Sequence, residues 1–303
     1  MVGVSLSRYA ALLLLPVLAP AQPTISVSVN LVVLHVTVRD KKGDFVSGLQ
    51  RDNFRVFENN KPQNIQFFTH EDVPVAVGLL IDDSGSMIPK RQDVTLAAVA
   101  FAKTSNPQDQ MFVVNFNEHA YLGLPDTQLF SASPKELVRA LNAIPPSGKT
   151  GLYNAIDLGL THLKQAKLDK KVLIVISDGG DNASPQTLPQ VLQAAERSNV
   201  IIYTVGLFDE YDEDRNPGVL KKLARETGGE CFLPDKTSKI VPICERIAED
   251  IRHQYTLGYA PSDTALDNEY RTIRVMATGP NGHKYSVRTR AGYLASAQGV
   301  AAR

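Results

Sequence analysis

An apolar run at positions 75–81 (VAVGLLI) is followed at once by Asp82, Ser84 and Ser86. Uncharged runs of this length suit a strand that is buried on both faces of a parallel sheet. In open α/β folds, ligands bind outside the carboxyl ends of such strands. The sequence therefore places three oxygen-bearing side chains, at alternate positions, where a ligand site is expected.

Apolar strands and helical patterns alternate from residue 73 to residue 252. Strands are predicted at 75–81, 111–116, 172–177, 200–206 and 230–233, with an edge strand near 119–124. Helices are predicted at 89–104, 134–143, 151–166, 187–198, 217–227 and 238–252. Such alternation indicates a sheet with helices on both faces. We expect an α/β fold with a doubly wound, mostly parallel sheet.

Two further oxygen donors follow other predicted elements. Asp178 ends the strand 172–177, and Thr150 stands at the predicted N-cap of the helix 151–166. Hydroxyl and carboxylate oxygens without histidine or cysteine suit Mg²⁺, Mn²⁺ or Ca²⁺ rather than zinc. The predicted metal ligands are Asp82, Ser84, Ser86, Thr150 and Asp178.

Each of these pieces also has an ordinary structural explanation. Serine, glycine and aspartate are common turn residues, so Asp-x-Ser-x-Ser by itself is a weak signal. Thr150 can serve as a helix cap alone. The neighbouring carboxylates of Asp83 and Asp181 are interpreted as supporting or solvated turn residues and not as ligands. The metal prediction depends on all three loops occurring in order, each beside a predicted strand or helix.

The five positions together resemble the metal-ion-dependent adhesion site of von Willebrand factor A domains. The resemblance covers about residues 73–252. The phrases at 151–156 (GLYNAI), 177–182 (SDGGDN) and 214–220 (DRNPGVL) resemble the exported bacterial VWFA-related domain family. This resemblance implies a doubly wound, Rossmann-like fold, a bound divalent ion and protein binding, but it names no partner.

Both regions that flank the α/β pattern are predicted to be β structure. Strands are predicted within 25–39 and at 45–49, 54–57 and 65–68, with turns at 42–44 and 59–62, and later at 255–259, 270–276 and 285–290. Neither flanking region has enough strands to form a β-sandwich by itself. We predict that 22–72 and 253–295 pair into one β-sandwich-like unit around the domain at 73–252, followed by a tail at 296–303. Two separate β appendages are the alternative.

Residues 1–21 resemble a signal peptide, with Arg8, a short apolar core and Ala-x-Ala before Gln22. We expect export to the periplasm or outside the cell, and no stable membrane insertion after cleavage, because no later apolar stretch is long enough to span a bilayer. The 303-residue chain has 32 basic and 32 acidic residues. This balance gives no basic excess for nucleic acid.

Two smaller features leave alternatives open. Cys231 and Cys244 could form a disulfide in an oxidising compartment or be two buried thiols, and either role is structural. The segment 209–214 (DEYDED) could hold a second ion, although acidic surface loops are usually only solvated.

Two classes of function fit the predicted site. The favoured class is a non-enzymatic binding module whose ion coordinates a carboxylate offered by a protein partner. The rival class is a metal-dependent phosphatase that uses Asp82 as its nucleophile. Enzymes of the haloacid dehalogenase kind normally show Asp-x-Asp at this point, whereas residue 84 here is serine. The binding module is therefore the predicted function.

Overall fold

The computed structural model describes residues 30–208, 214–295 and 301–302. The described residues begin with four strands, which are β1 (Asn30–Arg39), β2 (Phe54–Glu58), β3 (Lys61–Gln63) and β4 (Ile65–Thr69). It ends with β11 (Tyr255–Tyr259), β12 (Tyr270–Ala277), β13 (Ser286–Arg288), β14 (Gly292–Leu294) and β15 (Ala301–Ala302). An α/β unit lies between these two sets.

The α/β unit alternates strands and helices, as the sequence predicts. Its strands are β5 (Ala76–Asp82), β6 (Gln110–Phe116), β7 (Ala120–Leu122), β8 (Lys171–Ser177), β9 (Ile201–Gly206) and β10 (Cys231–Phe232). Its helices are α1 (Arg91–Thr104), α2 (Pro134–Leu141), α3 (Leu152–Leu163), α4 (Leu188–Ser198), α5 (Pro217–Thr227) and α6 (Ile240–Arg252).

The sheet of this unit has the order β10-β9-β8-β5-β6-β7, and β7 alone runs antiparallel to its neighbour. The helix α1 contacts α6 and α2, whereas α3 contacts α4 and α4 contacts α5. Every residue of β5 is buried, which explains why residues 76–81, before Asp82, carry no charge. The chain order reverses between β5 and β8, and open α/β sheets bind ligands at such a switch point. The predicted doubly wound fold is confirmed.

The terminal strands combine into two antiparallel sheets. One has the order β13-β1-β11-β4, with β15 also on β1, and the other has the order β14-β12-β2-β3. Pairs such as Val32↔Tyr259 and Val56↔Val275 join strands from opposite ends of the chain. Residues of both sheets share one buried cluster, in which the ring centroids of Phe54 and Tyr255 lie 5.0 Å apart with the ring planes tilted by 55°. The predicted accessory unit, built from N-terminal and C-terminal strands, is therefore confirmed.

Two local predictions differ from the structure. Residues 45–49 form no strand, although Phe45 makes an isolated bridge with Arg39. The predicted turn at 59–62 contains the start of β3, because Asn59 and Asn60 alone make the hairpin turn with φ angles of 46° and 63°. Asparagine tolerates this left-handed conformation better than most residues, so a two-residue turn is sufficient.

The two units meet at a buried polar cluster around Asp250 of α6. Its carboxylate accepts hydrogen bonds from Thr37 Oγ1 at 2.7 Å and from the Tyr203 hydroxyl at 2.9 Å, and it pairs with Arg288. Beside it, Arg39 Nη2 lies 2.7 Å from Glu230 Oε2. These contacts attach β1 and β13 to the α/β unit. Among the described residues, no helix combines the length and apolarity needed to cross a membrane.

Candidate metal site

The first site loop begins where β5 ends at Asp82. The Ser84 amide donates to Asp82 Oδ1 at 2.9 Å, which turns the chain into a short 3₁₀ segment, Gly85–Lys90. The Asp83 amide donates to the Phe116 carbonyl at 2.7 Å and so anchors the loop to the end of β6. Asp82 and Ser84 are buried, and Ser86 is half-buried at the rim.

The second site loop follows β8 and brings Asp178 next to the first. Ser86 Oγ donates to Asp178 Oδ2 at 2.8 Å and lies 3.2 Å from Ser84 Oγ. The other oxygen, Asp178 Oδ1, accepts the Gly180 amide at 3.0 Å. Ser84, Ser86 and Asp178 thus form a continuous line of oxygen atoms at the switch point of the sheet.

Thr150 lies on a third loop, which hydrogen bonds attach to the other two. Its amide donates to Asn182 Oδ1 at 2.9 Å, and its carbonyl accepts the Asn182 amide at 3.0 Å. The Gly85 amide donates to the Gly148 carbonyl at 3.3 Å. The helix N-cap is Gly151, so the predicted capping role of Thr150 is wrong. Thr150 is 6% exposed.

The electrostatics of the site favour a cation. Burial and, to a smaller extent, the negative charge of Asp178 together raise the pKa of Asp82 to about 6, although hydrogen bonds from Ser177 and Ser84 oppose the shift. In the part of the chain that the structure describes, no lysine or arginine forms an ion pair with Asp82 or Asp178. Two neighbouring carboxylates without a counter-charge fit a bound cation.

The donor set fits an ion that accepts hydroxyl ligands. No group of three or more histidine, cysteine, aspartate or glutamate side chains in the described ranges could hold a metal. An ion at this site would therefore rely on serine and threonine oxygens beside the two carboxylates. Hard cations such as Mg²⁺ accept these ligands and retain some water. The residues present thus fit the predicted ion class.

The two neighbouring aspartates have other partners. Asp83 is fully buried and pairs with Arg91, whose pKa burial lowers. Asp181 Oδ2 accepts the Tyr153 amide at 2.7 Å in the first turn of α3. Hydrogen bonding to an exposed helix-terminal amide is an ordinary structural role. These contacts account for both carboxylates without a metal.

Sequence reasoning missed two residues that hold the site together. Ser177 Oγ donates to Asp82 Oδ2 at 2.6 Å and accepts the Gly179 amide at 3.0 Å. Asn182 joins the Thr150 loop to the loop after β8 and also donates to Asp214 Oδ2 at 2.8 Å. The available signal for Ser177 was a polar residue that directly follows the buried apolar run at residues 172–176.

The other two candidate features remain outside the site. The predicted second ion site falls on 209–214, of which residues 209–213 lie outside the described residues. Cys231 and Cys244 are free thiols. Burial raises the pKa of both, that of Cys244 to about 12, so neither thiol ionises readily near neutral pH.

Comparisons with known proteins agree with this geometry. The sequence model of the von Willebrand factor type A domain matches residues 77–242. A search of curated proteins finds no relative of this chain. A von Willebrand factor type A structure from Catenulispora acidiphila aligns over 89% of this chain and 75% of its own, with a TM-score of 0.54 and 13% identity.

Two further solved structures share the fold. Proximal thread matrix protein 1 from the mussel byssus, with a zinc-occupied MIDAS motif, covers 64% of this chain and 49% of its own at a TM-score of 0.52 and 15% identity. The vWF domain of the type V pili tip protein Mfa5 from Porphyromonas gingivalis covers 59% and 95%, with a TM-score of 0.50 and 15% identity.

Proposed function

Because this chain belongs to the von Willebrand factor type A domain family, we propose that it is an exported, non-enzymatic binding module that recognises a protein partner through a divalent ion. The proposed ligands are Asp82, Ser84, Ser86, Thr150 and Asp178. The proposed ion is Mg²⁺, with Mn²⁺ or Ca²⁺ as substitutes, because the donors are all oxygen atoms. The partner is proposed to offer a carboxylate to the ion.

The single observation that carries this proposal is that the Ser86 hydroxyl contacts the side-chain oxygens of both Ser84 and Asp178. Ser86 Oγ lies 2.8 Å from Asp178 Oδ2 and 3.2 Å from Ser84 Oγ. Among the described residues, no lysine or arginine forms an ion pair with Asp82 or Asp178. Only two carboxylates contribute, so a bound divalent ion keeps an affinity for further anionic oxygen. Such an ion supplies Lewis acidity toward a partner's carboxylate.

The similar structures support the same proposal. One of them carries zinc in its MIDAS motif, and another is the vWF domain of a pili tip protein. Export is proposed from the signal-like segment at 1–21, which lies outside the described residues. We also propose the domain limits 22–72, 73–252 and 253–295 for the N-terminal β region, the A domain and the C-terminal β region.

A phosphatase role for Asp82 is less compatible with the geometry. Both carboxylate oxygens accept hydrogen bonds, Oδ1 from the Ser84 amide and Oδ2 from Ser177 Oγ, and the residue is 0% exposed. A nucleophile needs an oxygen that can reach its substrate. In addition, Ser84 occupies the position where a second acid would assist the leaving group. These contacts favour binding over hydrolysis.

Calorimetry on the chain from residue 22 onward tests the ion site. Mg²⁺ and Mn²⁺ should each bind at one site, and Asp178→Ala should lose most of the binding because it removes a charged ligand. Asp157→Ala is a matched control, since Asp157 is an exposed carboxylate on α3. Unchanged affinity in both Asp82→Ala and Asp178→Ala would contradict the proposed ligand set.

A second experiment separates the two function classes. A pull-down with the same chain, with and without EDTA, should capture a partner only when the ion is present. Hydrolysis of p-nitrophenyl phosphate is measured in parallel. Turnover that disappears in Asp82→Ala would replace the binding role with the phosphatase role. A partner that stays bound in EDTA would support a binding role but contradict its dependence on the metal ion.

A further inference from the structure

A pocket of about 360 Å³ lies where the accessory unit meets the α/β unit. One wall is a face of three neighbouring strands, β1, β11 and β4, and the other consists of residues 167–170 with the connection at 73–74. Residues 167–170 come directly before β8, whereas two of the metal-site loops follow β5 and β8. The pocket, which we call the junction pocket, therefore lies at the opposite edge of the sheet from the proposed metal site.

The strand wall of the pocket carries a polar row beside apolar side chains. His35, Thr256 and Thr69 stand side by side, because the register pairs His35 with Thr256 and Thr256 with Thr69. His35 Nδ1 lies 3.3 Å from Thr256 Oγ1. Val33 on β1 and Phe67 on β4 continue the same face, since alternate residues of a strand share a face. All five residues are half-buried and line the pocket.

The apolar part of the wall suits a flat ring. The register places Gly258 between Val33 and Phe67, so no side chain stands between these two. Leu168 and Pro74 add apolar surface from the other wall. Aromatic rings favour offset or edge-to-face contacts with a ring such as that of Phe67. A dry cavity of about 150 Å³ holds one benzene molecule, so 360 Å³ accommodates one ring with a short substituent.

The charged groups of the lining favour a negative substituent on that ring. Lys167 is exposed and forms no ion pair with a residue that the structure describes. Lys170 is buried, and its ammonium donates to the Ile251 carbonyl. The acid in the lining, Asp169, already has an interaction partner in the protein. Two lysines against one aspartate give a local positive excess, and the hydroxyls of the polar row can donate to an anion.

We propose that the junction pocket binds a small aromatic carboxylate. The ring lies against Phe67, and the carboxylate accepts hydrogen bonds from the Thr69 and Thr256 hydroxyls near the Lys167 ammonium. With His35 Nδ1 donating to Thr256 Oγ1, the hydroxyl proton of Thr256 is available to the ligand. Hydrogen bonds to a carboxylate are stronger than those between neutral groups, so charge and ring shape together select the ligand. Small-molecule sites are common at such boundaries between units.

Ligand-observed NMR titration of the chain from residue 22 onward with benzoate tests the proposal, in EDTA so that no ion at the metal site holds the carboxylate. Benzoate should bind with a Kd on the order of 1 mM, because so small a ligand makes few contacts. Benzamide has the same shape without the charge, benzylamine reverses the charge, and hexanoate keeps the charge without the ring. Each should bind at least about fivefold more weakly. Absent benzoate binding, or equal or tighter binding of any of the other three, would overturn the proposal.

Two conservative variants test whether the acid occupies this pocket. Lys167→Gln should weaken benzoate binding about fivefold and leave benzamide binding unchanged, because only the interaction with the carboxylate charge is lost. Its matched control, Lys222→Gln, changes an exposed lysine of a separate groove beside α5 and should stay within about twofold. Thr256→Val keeps the side-chain shape and removes one hydroxyl, so it should also weaken benzoate binding about fivefold. Its control is Thr127→Val, in an exposed position.

The variants also separate the junction pocket from other sites. Circular dichroism confirms that each variant keeps its fold. Asp178→Ala should leave the benzoate affinity unchanged, and a loss in that variant would place the acid at the metal site. Equal losses in Lys167→Gln and Lys222→Gln would show general charge attraction. Either result, or an unchanged affinity in both Lys167→Gln and Thr256→Val, would overturn the assignment.

Discussion

The substitution Asp250→Ala should destabilise the protein strongly, because it removes the acceptor at the centre of the contact between the two units. The Asp250 side chain is 0% exposed, and it accepts hydrogen bonds from Thr37, Tyr203 and Arg288. Removing one partner of a buried ion pair costs about 3–5 kcal/mol, since the other charge stays buried. At about 2–4 °C per kcal/mol, the midpoint of thermal unfolding should fall by roughly 6–20 °C.

Thermal unfolding followed by circular dichroism measures this loss, with Glu249→Ala as the control. Glu249 is the exposed neighbour on α6, so its removal should change the free energy of unfolding by less than about 0.5 kcal/mol. Adding Arg288→Leu to Asp250→Ala should cost less than the sum of the two single changes, because no lone charge remains. A loss in Asp250→Ala no larger than in Glu249→Ala would refute the reasoning.

Three other predictions follow from particular contacts. Burial lowers the pKa of Lys170 to about 8. The unfolded lysine keeps its proton to about pH 10.4, so the folded state binds fewer protons between these values. The free energy of unfolding in urea should therefore rise from pH 8 to 9.5, and Lys170→Met, unlike Lys171→Met, should abolish the rise. Deleting residues 254–295 should expose the apolar faces of β1–β4; a truncated chain that stays monomeric, stable and protease-resistant would contradict the shared sandwich. Gly229→Ala should lower the free energy of unfolding by about 2 kcal/mol or more, because the added Cβ would lie 2.0 Å from the Ile202 carbonyl oxygen. An unchanged midpoint of thermal unfolding would contradict this prediction and show that the backbone moves to make room for the Cβ.

The sequence predicted the α/β unit well because its strands are buried on both faces. The strand predicted at 75–81 is observed as Ala76–Asp82, and that predicted at 172–177 is observed as Lys171–Ser177. Burial on both faces requires an uncharged run, so the pattern is local and can be seen without knowing the partners. The helices that cover the sheet were also predictable, because the spacing of apolar residues along a helix is likewise a local pattern.

The terminal β unit could be predicted only as a set of strands. Its register joins residues far apart in sequence, as in His35↔Thr256, and no local pattern specifies such a pair. Residues 45–49 resemble a strand in composition, yet in the structure the Leu49 amide donates to the Tyr255 hydroxyl at 3.2 Å. Short segments at the edge of a sheet depend on distant partners, so their sequence alone does not decide their conformation.

In the candidate metal site, too, features set by local sequence could be predicted, whereas contacts between distant residues could not. The five predicted oxygen donors follow strands or precede a helix, and the structure brings the loops that carry them together. The supporting contacts were not predictable, because they cross between loops: Ser177 reaches Asp82, and Asn182 reaches Thr150. The pairing of Asp83 with Arg91 could not be predicted either, because Asp83 stands among ordinary turn residues and nothing in the sequence names its partner.

Ser177 should control metal affinity although it is not a proposed ligand. Its hydroxyl fixes Asp82 Oδ2 at 2.6 Å, and the Gly179 amide in turn fixes the hydroxyl at 3.0 Å. Side chains that orient a ligand typically contribute 10–100-fold to metal affinity. We therefore expect Ser177→Ala to fold normally and to bind Mg²⁺ or Mn²⁺ at least about tenfold more weakly by calorimetry.

Ser198→Ala is the control for this change, because Ser198 Oγ donates to the Ala194 carbonyl of the same helix, α4, at 2.6 Å. It should leave the affinity unchanged. The prediction depends on the proposed ligand set, and the two can fail separately. If the parent chain binds no ion, the ligand set is wrong; if the parent binds and Ser177→Ala binds equally well, Asp82 needs no orienting hydroxyl, and its buried position alone determines where its carboxylate lies.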